Sequence, residues 1–184
     1  MEQSMLNQCH GGSGVYAIST AISNVQCRKS RRGHYIGFSN RQFTTIGVAI
    51  TTCCAPGWKK NSGLSGWCFL FSHNQVTWAE AEEICRSFEG YLAEPTNKPI
   101  DDYLITETLK TGRKYWLGLS DLEQEGTFLW TTSQTPITSY KNWIPGDPNN
   151  ANSGEDCVLN NWNRDGKWAD GDCEWKEYYI CQTE

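Results

Sequence analysis

The 184-residue sequence has no run of about 18 or more apolar residues, so no segment reads as a membrane-spanning helix. It has no Cys-x-x-Cys pair and only three histidines, His10, His34 and His73. Structural zinc sites need clustered Cys or His ligands, so zinc fingers and ribbons are excluded. No Asn-x-Ser/Thr acceptor occurs, and N-glycosylation is not implied. His73 and the scattered serines form no nucleophile–base pattern, which speaks against an enzyme. The net charge of −5 is a poor match to nucleic acid. Low-complexity tracts and internal repeats are absent.

What the chain does have is cysteine and tryptophan, nine of each. Such a cysteine content is high for a reducing compartment and low for a knottin-like scaffold. With zinc excluded, disulfides in an oxidising, extracellular setting are expected. An odd total leaves one thiol unpaired or joined to a second chain.

Charge and aromatics divide the chain near position 53. Residues 1–52 carry five basic residues and one acid, net +4, and no tryptophan. Residues 53–184 carry eleven basic and twenty acidic residues, net −9, and all nine tryptophans. The first piece is rich in Ser, Thr, Gly and Gln and is expected to be a weakly ordered extension or pro-segment. Its start, MEQSMLNQCH, has neither a basic n-region nor an apolar h-region. A mis-assigned start is a third reading of this piece. The RKSRR run reads as a solvated charge cluster, with a processing or localisation signal as the alternative.

Local periodicity suffices for a coarse map of the second piece. Trp78, Ala81, Cys85 and Phe88 recur at helical spacing, opposite Glu80, Glu82 and Glu83. A second helix is predicted over Pro99–Thr111, with Asp101 and Asp102 in its first turn and Gly112 as its stop. Ile100, Tyr103, Leu104 and Leu109 should face the core. Lys114–Ser120, Thr127–Thr132, Asp156–Asn160, Lys167–Ala169 and Glu177–Gln182 read as strands. Asp165-Gly166 marks a hairpin between two of them. The stretch WIPGDPNNANSGE from Trp143 to Glu155 is all loop formers, and a loop that long usually carries function. Two helices followed by short strands give an α+β domain.

These motifs resemble the long form of the C-type lectin-like domain over most of residues 53–184. CAPGW with CFLF is similar to its N-terminal hairpin, WAEAEEIC to its first helix and WLGL to its core strand. WIPGDPNN is similar to its long-loop motif, and GEDCVLN, KWADGDC and YYICQ to its last strands. The likeness extends to secreted perlucin-like and mannose-type lectins. It implies two helices packed on short antiparallel sheets, with a long calcium-binding loop and disulfides Cys54–Cys68, Cys85–Cys181 and Cys157–Cys173. Cys9, Cys27 and Cys53 are left over. Cys9–Cys27 would close the extension, and Cys53 would link two chains as a dimer.

The resemblance also implies a site. Asp147-Pro148-Asn149 stands where mannose-type lectins have Glu-Pro-Asn with a cis proline. Glu155 falls on a further ligand position, and Asp170 on the aspartate of a Trp-Asn-Asp motif. Asp147, Asn149, Glu155 and Asp170 would hold Ca2+ and the sugar together. Asp121, Glu125, Asn150 and Asp156 match an auxiliary calcium position that orders the loop. Oxygen-rich residues suit calcium, which takes six to eight oxygen ligands. The order carboxylate then amide resembles binders of mannose, fucose or N-acetylglucosamine. Ala169 departs from the pattern, because it stands where the motif has asparagine. Asn161 or Asn163 offers an amide in its place. DLEQEG and NWNRDGKWADGD also resemble the start of an EF-hand loop, but Thr132 stands where that loop needs glutamate and no helices flank either. Trp58, Trp78, Trp116, Trp130, Trp143 and Trp168 read as core, and Trp162 and Trp175 as free to line a binding face. The expected function is calcium-dependent glycan binding by a soluble secreted lectin. The alternative is a lectin-like domain that has lost sugar and binds protein, or serves in a matrix or biomineral.

Overall fold

The computed structural model describes residues 16–20, 23–29, 35–39, 51–52, 54–64, 66–137, 140–151 and 154–184. The chain divides into two compact units, Met1–Cys68 and Phe69–Glu184. In the first, β1 (Tyr16–Thr20), β2 (Ser23–Lys29), β3 (Tyr35–Ser39) and β4 (Thr51–Thr52) form an antiparallel sheet in chain order. Residues read above as an extension thus contribute strands among their described parts. The same unit holds β5 (Lys59–Lys60) and the Cys54–Cys68 disulfide. Cys9 and Cys53 lie outside the described residues.

The second unit opens on β6 (Cys68–Phe71), which begins at the boundary. Helix α1 (Trp78–Ser87) starts where its sequence provides a reciprocal cap. The Thr77 hydroxyl accepts from the Glu80 amide at 3.4 Å, and the Glu80 carboxylate accepts from the Thr77 amide at 2.9 Å. The helix buries Trp78, Ala81 and Cys85. Phe88 falls past its last turn as the cap residue and is 50% exposed, not part of the apolar stripe. After β7 (Tyr91–Leu92) comes α2 (Lys98–Thr111). Asn97 caps its start and Gly112, at φ 64°, ends it. Ile100, Tyr103 and Leu104 are buried as expected, but Leu109 is 46% exposed. A helix turns about 100° per residue, so Leu109 lies opposite Ile100.

The strands that follow are β8 (Tyr115–Ser120), β9 (Leu129–Trp130), β10 (Cys157–Asn160), β11 (Trp168–Gly171) and β12 (Tyr178–Thr183). Their sheet runs β11-β10-β8-β12-β6, with β7 on β12 and β9 on β8. β10 is antiparallel to β11 and β8, whereas β8 and β12 are parallel. These two lie far apart in the chain, so no hairpin dictates their direction. All six residues of β8 are buried. A Cβ on Gly118 would stand 2.6 Å from the Leu92 carbonyl oxygen, so the WLGL motif needs glycine to let β7 approach. The β9 strand is shorter than Thr127–Thr132, because the chain turns back and Trp130 pairs with Thr135. The expected tight hairpin at Asp165-Gly166 is a wider connection over 161–167. Asn161, Arg164 and Gly166 all take positive φ there.

Indole nitrogens clip these layers together. Trp78 Nε1 donates to the Leu117 carbonyl at 2.9 Å, and Trp116 Nε1 to the Val76 carbonyl at 3.0 Å. The Cys85–Cys181 disulfide ties α1 to β12 across 96 residues, and Cys157–Cys173 joins β10 to the loop after β11 across 16. In the chain-entropy picture loops of these sizes contribute about 4.7 and about 3 kcal/mol. The paired replacement Cys85→Ala with Cys181→Ala should therefore lower unfolding stability by about 2–5 kcal/mol. The same replacement at Cys157 and Cys173 should cost less. Denaturant unfolding of the two variants tests this order, and equal losses would contradict it.

Candidate calcium and sugar site

The long loop is rooted on a buried carboxylate. Asp101 sits on α2 with no solvent exposure, not at an exposed helix start. Its Oδ2 accepts from Tyr140 Oη and Asn142 Nδ2, both at 2.7 Å, and its Oδ1 from Trp168 Nε1 at 3.0 Å. Burial pushes its pKa up to about 6, against the three donors, which favour the ionised form. Tyr140 and Asn142 lead into the loop, and Trp168 opens β11. Backbone bonds continue the joint: Trp168 N donates to Asn142 O, and Ile144 N to Trp168 O, both at 2.8 Å. The Trp168 ring meets Trp130, Tyr140 and Trp143 edge-on, each at 5.8 Å.

From this root the loop folds back over Asp170, two residues past Trp168. The Asp147–Pro148 bond is cis. Asn149 Nδ2 donates to Asp147 Oδ1. The backbone amides of Asn149 and Asn150 both donate to Asp170 Oδ2, at 2.8 and 2.7 Å. Glu155 Oε2 accepts from the Ala151 amide at 3.1 Å. Burial raises the pKa of Asp147, and the charge of Asp170 adds to it. Glu155 is raised by burial first and then by Asp170, Asp147 and Asp172.

A second carboxylate group adjoins the first. Oxygens of Asp121, Glu125 and Asp156 lie within 4.8 Å of one another. Asp121 is buried, and its Oδ2 accepts from the Gly126 amide at 2.8 Å. Burial raises its pKa, and Glu125 and Asp156 raise it further. Asn150 joins the two groups. Its Nδ2 donates to Glu125 Oε2 at 2.6 Å, and its Oδ1 accepts from the Glu155 amide at 3.1 Å. Two buried carboxylate oxygens, Asp121 Oδ1 and Asp170 Oδ1, have no hydrogen-bond partner. Buried polar atoms are ordinarily satisfied, so these two suit a cation.

Of three neighbouring residues, Ala169 agrees with expectation and Asn161 and Trp162 differ from it. Ala169 is buried in β11 opposite Leu159 and brings a methyl where an oxygen was sought. Asn161 supplies no replacement. It is buried in the 161–167 connection, donates to Arg113 O at 2.8 Å and accepts from the Gly166 amide at 2.9 Å. Trp162 stacks on Trp175 at 5.6 Å, and Lys114 Nζ lies 3.6 Å from the centre of the Trp162 ring. The Trp162 ring is thus engaged by Trp175 and Lys114 and is no free platform.

Nothing in the sequence pattern singles out Asp101, Tyr140 or Asn142. Asp101 reads as an ordinary first-turn acid until α2 is packed. Because its pKa in the fold lies above the ordinary 3.8, its contribution to stability is full below about pH 4 and is lost as the pH rises to about 6. Asp101→Asn should flatten that part of the stability–pH profile measured in chelator. It should also cost about 1–3 kcal/mol, because an amide NH2 would face a donor. An unchanged profile would remove Asp101 as its source.

Residues 74–183 match the lectin C-type domain family. The chain is similar to perlucin-like protein of Mytilus galloprovincialis, 33% identical over 134 residues, which are 71% of this chain and 78% of that one. It is also similar to perlucin of Haliotis laevigata, 36% identical over 124 residues, 64% of this chain and 76% of that one. Among solved structures, the carbohydrate-recognition domain of the mouse scavenger receptor C-type lectin superposes with a TM-score of 0.64. That match has 29% identity and covers 71% of this chain and 96% of the other.

Proposed function

The chain belongs to the C-type lectin domain family, and on that premise we propose that residues 53–184 act as a secreted, calcium-dependent lectin domain. Residues 1–52 are its extension. The ligands are glycans ending in mannose, fucose or N-acetylglucosamine. The observation that carries this reading is the convergence of Asp147, Asn149 and Asp170 through the hydrogen bonds of Asn149.

Asp147, Asn149, Glu155 and Asp170 would hold one Ca2+, and Asp121, Glu125, Asn150 and Asp156 a second. The donor set is oxygen throughout, as a hard cation requires. The ion would supply coordination for two neighbouring sugar hydroxyls. Asp147 accepts from a hydroxyl, and Asn149 donates to one through Nδ2. In the chain alone these two side chains bond each other, so a sugar takes over groups already positioned. Asp121 and Glu125 brace the loop through Gly126 and Asn150. The family and its generally non-enzymatic members support a binding role.

A second reading has its own observation. Ala169, only 1% exposed, offers neither oxygen nor amide. That loss favours a domain that keeps calcium but binds protein or mineral, and the similarity to perlucins suits the latter. Retention on mannose resin in calcium with release by chelator is the outcome the lectin reading expects. Stabilisation by calcium with no retention on any sugar resin would favour the second.

Asn149→Ala should abolish retention and leave the unfolding midpoint in chelator unchanged. Unaltered retention would sink the assigned site. Ala169→Asn should tighten calcium binding by about tenfold, or ~1.4 kcal/mol. Calorimetric titration measures this, with the unfolding midpoint in chelator as the control for packing. No change would place this position outside the coordination shell.

A further inference from the structure

A cavity of about 460 Å³ opens beside the loop, with Asp147 and Pro148 in its wall. Small-molecule sites commonly measure about 300–1,000 Å³. Much of the remaining lining is apolar and firmly held. Phe128 is almost fully buried and meets Trp143 edge-on at 5.1 Å. Ile137 N donates to Phe128 O at 3.1 Å, and Trp143 pairs with Trp168 at the loop root. Lys141 is the one basic residue in the lining and Asp147 the one acidic residue. Lys141 is exposed and has no ion pair among the described residues.

We propose that this cavity takes the second residue of a bound glycan, and that Lys141 selects one carrying an anionic substituent, a sulfate or a carboxylate. The inference rests on the lectin reading, because Asp147 serves both places. A terminal sugar held at Asp147 and Asn149 directs its linkage toward or away from this cavity, and the shared wall makes the first option contiguous. A pyranose presents an apolar C–H face and a polar edge. The apolar face suits Phe128, Trp143, Ile137 and Pro148, since aromatic faces are weakly negative and take up C–H groups. The polar edge is left toward solvent, to which the lining residue Lys141 is exposed. In a unit with an excess of acids, a cation in a cavity wall without an ion pair among the described residues is a site for an anion brought by the ligand.

Calorimetry on the full chain in calcium tests this with four probes. They are methyl α-mannoside, a neutral mannose-terminated disaccharide, and that disaccharide with a sulfate or a carboxylate on its second ring. The neutral disaccharide should bind more tightly than the monosaccharide. At least one acidic disaccharide should bind about fivefold more tightly again, which is about 1 kcal/mol. Raised salt should shrink that advantage. Lys141→Ala should reduce the acidic disaccharide to the neutral one's affinity and leave methyl α-mannoside unaffected. Equal affinities for neutral and acidic disaccharides, or an advantage that survives Lys141→Ala, would overturn the assignment while the lectin reading stands. No binding of methyl α-mannoside would overturn both.

Discussion

The loop that forms the site is held by a carboxylate with no access to water. Asp101 collects three donors, one from each of Tyr140, Asn142 and Trp168. It thereby joins α2, the entrance of the loop and the start of β11. Leaving such a group uncompensated would cost several kcal/mol, so the donors must stay where they are. The position of Trp168 follows, and Asp170 stands two residues further along the same strand. The site is thus built outward from a buried carboxylate in the core.

Asp170 repeats this logic nearer the surface. One of its oxygens receives two loop amides, and the other is buried without a partner. The first holds the loop in place, and the second is open to a cation. Asp121 divides its oxygens in the same way, one to Gly126 and one unpaired. Both residues face further carboxylates across the loop. Like charges gathered in a poorly solvated place repel. A bound cation would relieve that repulsion, so loop order and metal affinity would be two aspects of one arrangement. Ala169 weakens the arrangement at one point and leaves the rest of the oxygen set in place.

Much of the fold was legible because it rests on short-range rules. The helical spacing of Trp78, Ala81 and Cys85 announces α1, and Gly112 announces the end of α2. The motif order carried the three disulfide pairings, which the tertiary structure bears out. Periodicity misled at Phe88 and Leu109. A repeating pattern says which residues share a face but not where the helix stops touching its neighbour. The hairpin at Asp165-Gly166 misled similarly. Glycine marked a reversal of the chain there, but Asn161 and Arg164 also take positive φ and widen it.

The sequence by itself determined the α+β class from local periodicity, and the order of its motifs gave the resemblance to a family, which in turn implied the cysteine pairs and the oxygen-bearing residues around the long loop. The tertiary structure alone decided that Asp101 is a core carboxylate, that Asn161 serves a turn, and that Trp162 is engaged by Trp175 and Lys114. It alone placed Lys141, Phe128 and Trp143 around one cavity beside Asp147. Burial, charge and hydrogen-bond competition at these positions depend on segments distant in the chain. Such segments meet only after the layers have packed.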